Sequence, residues 1–324
     1  VERSRGLGDV YKRQVLLILA ATLYLNRRAA ARELLVGWLD RKGIDADVEV
    51  ERLELNGFVG KVSIGDPKNP DFKVERVEVD YAVGLPWSKA GLGVTPSRVR
   101  LVRPIVRAAW KNGELSLGSL DPLVEEFTGK PPKPDSRAPL VIVEGGQARL
   151  DTEYGPLRLL ADARIDDGKL MRLSGRMPAA SLKSGETEAR GLAGVIEVTT
   201  VGDRTAVKLD AQAERFAVAG VGGQGAALSL SGDLPYPDMK TRRGDGRVGL
   251  TARLTADELA GAGTTARQAA ATMEFAGAVE GWLNAYSLKG EAKTAATADR
   301  LQGEGVEVLS LIHISEPTRP LYIS

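Results

Sequence analysis

Two stretches decide the fold: DVEVERLEL, residues 47–55, and FKVERVEVDY, residues 72–81. In the first, Val48, Val50, Leu53 and Leu55 are apolar at two-residue spacing, with a slip of one residue at Glu51-Arg52. In the second, Phe72, Val74, Val77, Val79 and Tyr81 repeat the arrangement, with the same slip at Glu75-Arg76. A period of two places alternate side chains on one face of a half-buried strand, whereas a helix requires 3.6. One extra residue between two in-phase runs predicts a β-bulge. The phrase Val-Glu-Arg-(Leu/Val)-Glu-(Leu/Val) stands at Val50–Leu55 and again at Val74–Val79, so one strand design is used twice. Between the two, GFVGKVSIGDP (57–67) supplies a further short strand carrying Val62 and Ile64.

Working outward to the N-terminal side, RAAARELLVGWLDRKG (28–43) changes to the helical period: Leu34, Leu35, Trp38 and Leu39 share a face, and Gly43 stands where the helix should stop. Before it runs VLLILAATLYL, Val15 to Leu25, uncharged and apolar. Eleven residues at 1.5 Å each reach about half of a ~30 Å hydrocarbon core. The run is therefore expected to be part of a truncated transmembrane anchor; the alternatives are a signal-peptide core, against which Arg27 and Arg28 stand between the run and the small residues Ala29 to Ala31, and a buried soluble helix.

The ends carry an independent signal. The segment SRGLGDVYKRQ (4–14) and the segment LSLIHISEPTR (309–319) are encoded by opposite strands of one DNA sequence, as back-translation shows, and that sequence resembles a library-preparation adapter. Residues 1–14 and 309–324 are accordingly expected to be adapter-derived, and with them His313, the single histidine of the chain. Five of the 44 basic residues (Arg3, Arg5, Lys12, Arg13, Arg319) and three of the 43 acidic ones (Glu2, Asp9, Glu316) fall in these segments, which leaves 39 against 40. Such a balance gives no footprint for nucleic acid. Without cysteine or a native histidine there are no thiol or imidazole nucleophiles and no Cys/His zinc ligands. No enzyme activity, metal or cofactor is expected.

On the C-terminal side, SRVRLVRPIVRAAWKNGELSLGSL (97–120) turns at Asn112-Gly113, and Pro104 suggests an edge strand or a kink. Asp121–Phe127 reads as a short helix and KPPKPDSRAP (130–139) as a Pro-rich linker. From there alternating strands are separated by Gly-Gly, Tyr-Gly, Asp-Gly and Gly-Asp turns at an expected spacing of eight to twelve residues. Only TADELAGAGTTARQAAATMEF (255–275) hints at a helix, and its glycines argue against one. Gly220, Gly222 and Gly225 match a dinucleotide fingerprint in form, but period-two sequence follows them, which makes them turn residues. Asp166-Asp167 likewise precedes Gly168 and reads as a turn. The Glu and Arg residues at the strand slips read either as an ion-pair ladder or as the solvated face of half-buried strands.

The expected fold is mainly β: an N-terminal membrane-anchor helix followed by an elongated, curved antiparallel sheet, a groove-like repetitive array. The expected divisions are 15–43, truncated anchor plus amphipathic helix; 44–129, N-terminal β domain; 130–139, linker; and 140–308, truncated repetitive β array. Val48, Val50, Leu53, Leu55, Val62, Ile64, Phe72, Val74, Val77 and Val79 are the candidate lining of an apolar groove near the anchor.

The order of anchor, Ala/Arg-rich helix, VERVEVDY, and then RVRLVRPIVRAAWKNGELSLGSLDPL resembles the N-terminal region of AsmA-like proteins, most of all the YdbH family, with TamB next. The resemblance implies a single-pass bacterial inner-membrane protein with its bulk in the periplasm, whose groove carries phospholipid between inner and outer membranes. It also implies the membrane, phospholipid and an outer-membrane or periplasmic protein as partners. The alternatives are a TamB-like scaffold for outer-membrane protein assembly, using sheet edges for strand addition, and a secreted β-rich structural or adhesin protein.

Overall fold

The computed structural model describes residues 27–84, 93–111, 113–122, 137–236, 244–281, 287–303, 306–308 and 312–323. The apolar run 15–25, most of the Asp121–Phe127 segment and residues 130–136 of the linker lie outside them. Among the described residues no helix is long and apolar enough to cross a membrane.

Helix α1 (Arg27–Asp40) ends as Gly43 predicts. Gly43 takes φ +74°, its N–H reaches the Asp40 carbonyl at 2.8 Å, and the Ile44 N–H reaches the Leu39 carbonyl at 3.0 Å. This is a Schellman cap, in which a left-handed glycine lets the chain reverse onto its own last turn. It brings Leu39 and Ile44 together over the first strands. The packed side of α1 runs through Val36 and Leu39, while Leu35, expected inside, is 39% exposed.

Strands β1 (Ala46–Leu53), β2 (Gly57–Ile64) and β3 (Phe72–Gly84) form an antiparallel meander. Both expected bulges are present. The β1–β2 register shifts between Val50 and Arg52, and Glu75 and Arg76 of β3 together oppose Lys61 of β2. Each bulge absorbs the residue that would otherwise turn Leu53, or Val77 and Val79, out of the apolar face. The side chains this assembles with α1 include the best-buried large ones among the described residues, Ile44, Val48 and Val74 at 1% exposure, with Ile64, Val77, Phe58, Leu39 and Ala46 around them.

β4 (Gly93–Lys111) and β5 (Glu114–Ser116) make the predicted hairpin, with Gly113 at φ +82°. β4 is not an edge strand, however. It pairs with β3 on one side and, in parallel, with β6 (Leu140–Thr152) on the other, so Pro104 lies in a central strand. The expected kink explains how: Arg103 has φ +50°, Gly145 opposite it has φ +60°, and the ladder passes from Val102↔Glu144 to Ile105↔Gln147 without Pro104. The missing proline N–H falls in that gap. The parallel β4–β6 join is the one departure from the expected antiparallel order. The 3₁₀ turn Gly118–Leu120, with Ser119 donating twice to Asp71 (2.8 and 2.7 Å), begins the crossover between these strands.

From β6 the chain is a plain antiparallel meander: β7 (Gly155–Asp166), β8 (Lys169–Ser184), β9 (Thr187–Val201), β10 (Arg204–Val218), β11 (Val221–Pro235), β12 (Gly246–Gly261), β13 (Thr264–Glu280) and β14 (Ser287–Ala298). β15 (Arg300–Gly303) continues β14 along β13, β16 (Val306–Val308) pairs with β15, and β17 (Ile312–Ile323), in the segment read as adapter-derived, pairs with β14. Two sequence expectations need correction. The strands are 12–17 residues long, so the turns are sparser than expected. Gly145-Gly146 is a kink within β6, and Gly222 and Gly225 lie within β11, only Gly220 standing in a turn. As its glycines argue, the 255–275 stretch is no helix and forms parts of strands β12 and β13 around an Ala262-Gly263 turn.

The result is one long, curved, open sheet, antiparallel except at β4–β6. Its thirteen principal strands, β1–β4 and β6–β14, stack over about 58 Å at 4.8 Å per strand.

Candidate functional site: a continuous apolar face

Strand register converts the alternating pattern into rows that run across the sheet. One row passes through Val50, Gly60, Val77, Leu101, Val143, Ala163, Leu173, Val198, Val207, Gly232, Leu250, Phe275 and Ala292, one residue from each of the thirteen strands. A second begins Val48, Val62, Val74, Pro104 and resumes as Gly146, Ala161, Gly175, Ile196, Leu209, Leu230, Ala252, Met273, ending at Thr294. Ile64 and Phe72 begin a third row, continued by Val106, Ala148 and Leu159, while Leu53 and Val79 flank Phe58 in a fourth. No charged side chain interrupts any of the four. The rows lie about 7 Å apart, two residues along a strand.

The opposite face is polar by the same register. The row between the first two reads Asp162, Ser174, Glu197, Lys208, Ser231, Thr251, Glu274, Lys293. In β1–β6 its counterpart is a ladder of ion pairs: Lys61 to Glu49 (3.0 Å) and Glu51 (3.2 Å), Glu51 to Arg76 (3.9 Å), Arg76 to Glu78 (2.6 Å), Glu78 to Arg100 (3.2 Å) and Arg100 to Glu144 (2.7 Å). Of the two readings of the slip residues, the ladder is realised. Hydrogen bonds from Arg76 hold the Glu78 carboxyl below its ordinary range, Glu144 and then Glu78 hold Arg100 more firmly protonated, and Ser119 lowers Asp71. Exposed pairs of this kind add little stability singly, but a chain of them across five strands penalises any slip of register. Register is what keeps the apolar rows in line.

Nine of the ten candidate lining residues fall on these rows. The exception is Leu55, in the β1–β2 turn at 90% exposure. The nine do not line an open surface as the chain stands: with α1, Ile44 and Leu120 they form the packed cluster described above. The face opens beyond it. Leu209, Leu228, Leu230 and Met273 are only partly buried, and Leu254 is 39% exposed. Two hollows indent this open part. One, of about 360 Å³, lies among Ala252, Leu254, Ala271, Met273, Thr294 and Ala296; the other, of about 230 Å³, lies among Leu254, Ala256, Leu259, Ala269, Ala298 and Leu301.

One long side of the trough is stitched. Arg137 pairs with Asp166, the Leu170 N–H reaches the Tyr236 hydroxyl at 3.0 Å, Lys169 lies 4.9 Å from the Tyr236 ring, Arg204 holds Asp233 and the Arg247 carbonyl, and Gly281 donates to Asp245. The Tyr236 bond joins β8 to the end of β11, three strands away. A flat sheet at 4.8 Å per strand separates those ends by about 14 Å, so the bond records the curl of this side.

Sequence reasoning missed Phe58, 9% exposed, because it stands among glycines; Gly60 makes room for its ring, as Gly223 does for Phe216 and Gly277 for Phe275. Among the described residues no group of three or more His, Cys, Asp or Glu is placed to hold a metal ion.

A family model described as YdbH-like, intermembrane phospholipid transport protein YdbH, matches residues 15–304. The chain belongs to this family. No curated protein and no solved structure matches it.

Proposed function

We propose that this chain carries phospholipid between the inner and outer membranes of a bacterium along the apolar face, with the bulk of the chain in the periplasm and the 15–25 run holding its N-terminal end in the inner membrane. The observation that carries the reading is the row geometry. An acyl chain in water costs about 0.8 kcal/mol per methylene, or about 12 kcal/mol for sixteen carbons. Rows of aliphatic side chains running across the strands shield that chain at every step. Because Ala, Gly, Val and Leu recur along them with no polar anchor, successive positions bind about equally, and a lipid slides where a single deep pocket would trap it. The headgroup needs no site on this face and stays in water beyond the open side of the trough. Nine of the ten residues from Val48 to Val79 form the base of the same face, and a lipid reaches them only when α1 moves aside.

The test is crosslinking of a photoactivatable phospholipid to the chain carrying Leu209→Asp with Leu230→Asp, neighbours in the second row. Crosslinking to β9–β12 should fall at least several-fold with the circular dichroism of the sheet retained. Undiminished crosslinking in the folded variant would remove the apolar face as the route.

A further inference from the structure

Among the described residues the polar face carries a patch of arginines without ion-pair partners. Arg107 of β4, Arg149 of β6 and Arg158 of β7 stand directly opposite one another; farther along β7 Arg164 opposes Arg172 of β8, and Arg176 of β8, opposite Leu160, lies between the two groups. Like charges in direct cross-strand contact repel. Arg149, Arg158, Arg164, Arg172 and Arg176 make no ion pair or hydrogen bond among the described residues, and all five are exposed. Arg107 has only the influence of Asp71, itself held by Ser119. The carboxylates on the same strands and face are committed or displaced: Glu144 to Arg100, Asp162 to the Gly145 N–H, Asp166 to Arg137, and Asp151 two residues beyond Arg149. Elsewhere, directly opposed arginines include a carboxylate partner: Glu188 for Arg190 against Arg215, and Glu258 for Arg267 against Arg300.

We infer that this patch is a docking surface for an anionic lipid bilayer. Six guanidiniums on a stiff sheet face, spread over about 20 Å along the strands from Arg158 to Arg164, suit an array of phosphates, which arginine binds in bidentate fashion. The patch begins at β4, about 14 Å from β1, and α1, which packs against β1, follows directly on the apolar 15–25 run. Its place on the back of the sheet, away from the apolar rows, makes it a second contact with the membrane that does not use the transport path. This contact would tilt the base of the array onto the headgroups while the trough faces outward.

The experiment is flotation of the full chain with vesicles of phosphatidylcholine alone and with a third of the lipid replaced by phosphatidylglycerol. The apolar run contributes to both, so the readout is the ratio of the two partition coefficients. Each basic residue near an anionic surface is worth roughly five-fold, so Arg149→Gln with Arg158→Gln should lower the ratio about 25-fold and leave partition onto the neutral vesicles unchanged. The urea midpoint of this variant should hold or rise, since a repulsive contact is lost. The Leu209→Asp, Leu230→Asp chain should keep the native ratio even where its lipid crosslinking is lost, which separates this proposal from the transport reading. A native ratio near one, or a ratio unaltered by Arg149→Gln with Arg158→Gln, would each overturn it.

Discussion

Strands β1–β3 and strands β9–β12 are written in the same alternating code, yet one set is a core and the other a surface. Val48 and Val74 are 1% exposed; Leu209 and Leu230, on the very row that Val48 and Val74 begin, remain partly open. The difference is what covers them. Leu39, Ile44 and Leu120 close over the first three strands; no described helix closes over the later ones, where only a smaller cluster, Val248, Phe275 and Val279 of β12 and β13, is buried. The apolar face of a β sheet is therefore not in itself a core. It becomes an extensive one where a second layer arrives, and where none does much of it stays available to a ligand of the same chemistry.

The sharpest way to break this comparison is to place one charge in each region. Val74→Asp buries an unpaired carboxylate and should cost about 4 kcal/mol or more, enough to unfold the N-terminal unit, as a urea midpoint would read. Leu209→Asp should cost about 1 kcal/mol and instead lower lipid crosslinking. Equal loss of stability from the two would mean that the later face is packed as well. A matched pair of glycines gives a smaller contrast. A methyl at Gly60 meets the Glu49 carbonyl and the Phe58 ring, so Gly60→Ala should destabilise by about 2 kcal/mol, whereas at Gly249 no atom lies within reach and Gly249→Ala should leave the thermal midpoint within a degree or two.

Acid separates the regions next. Asp71, Glu75 and Glu78 are held below their ordinary values of 3.8, 4.5 and 4.5 by Ser119, Arg103 and Arg76 respectively. A lowered carboxyl stabilises the fold fully above its ordinary value and ceases to do so as the pH falls through its folded value. Amides of β3 and β4 should therefore lose hydrogen-exchange protection before those of β10 and β11 as the pH is taken below 4.5. The smallest effect concerns the outer edge of β1, where Arg32 donates to the Val48 carbonyl at 2.8 Å and pairs with Asp47 at 2.9 Å. Arg32→Ala should cost about 1 kcal/mol and increase light scattering, because an unsatisfied sheet edge invites pairing with another chain.

Much of this was legible in local sequence. The slips at Glu51-Arg52 and Glu75-Arg76 gave both bulges, Gly43 the helix stop, and Asn112-Gly113 the hairpin. Nine residues of the apolar rows could be named from alternation alone. Leu55 misled because alternation continues past the last paired residue, where the chain is already turning. Pro104 misled because its missing donor is harmless beside a kink, and that kink depends on Arg103 and Gly145, which meet only through the parallel pairing of β4 with β6. Gly145-Gly146 has the composition of a turn and serves as a kink for the same reason. The arginine patch was invisible in a net charge near zero, since Arg107, Arg149 and Arg158 come together only by register.

By itself, then, the sequence determined which side chains share a face. A strand has only two faces, and each bulge that exchanges them is written locally as one extra residue. The tertiary structure decided what each face meets: a helix over Val48 and Val74, solvent over Leu209 and Leu230, and three arginines side by side on the reverse. Those outcomes rest on which strands become neighbours and in what register, and backbone hydrogen bonds, being the same for every residue, do not encode that choice in any one stretch of chain.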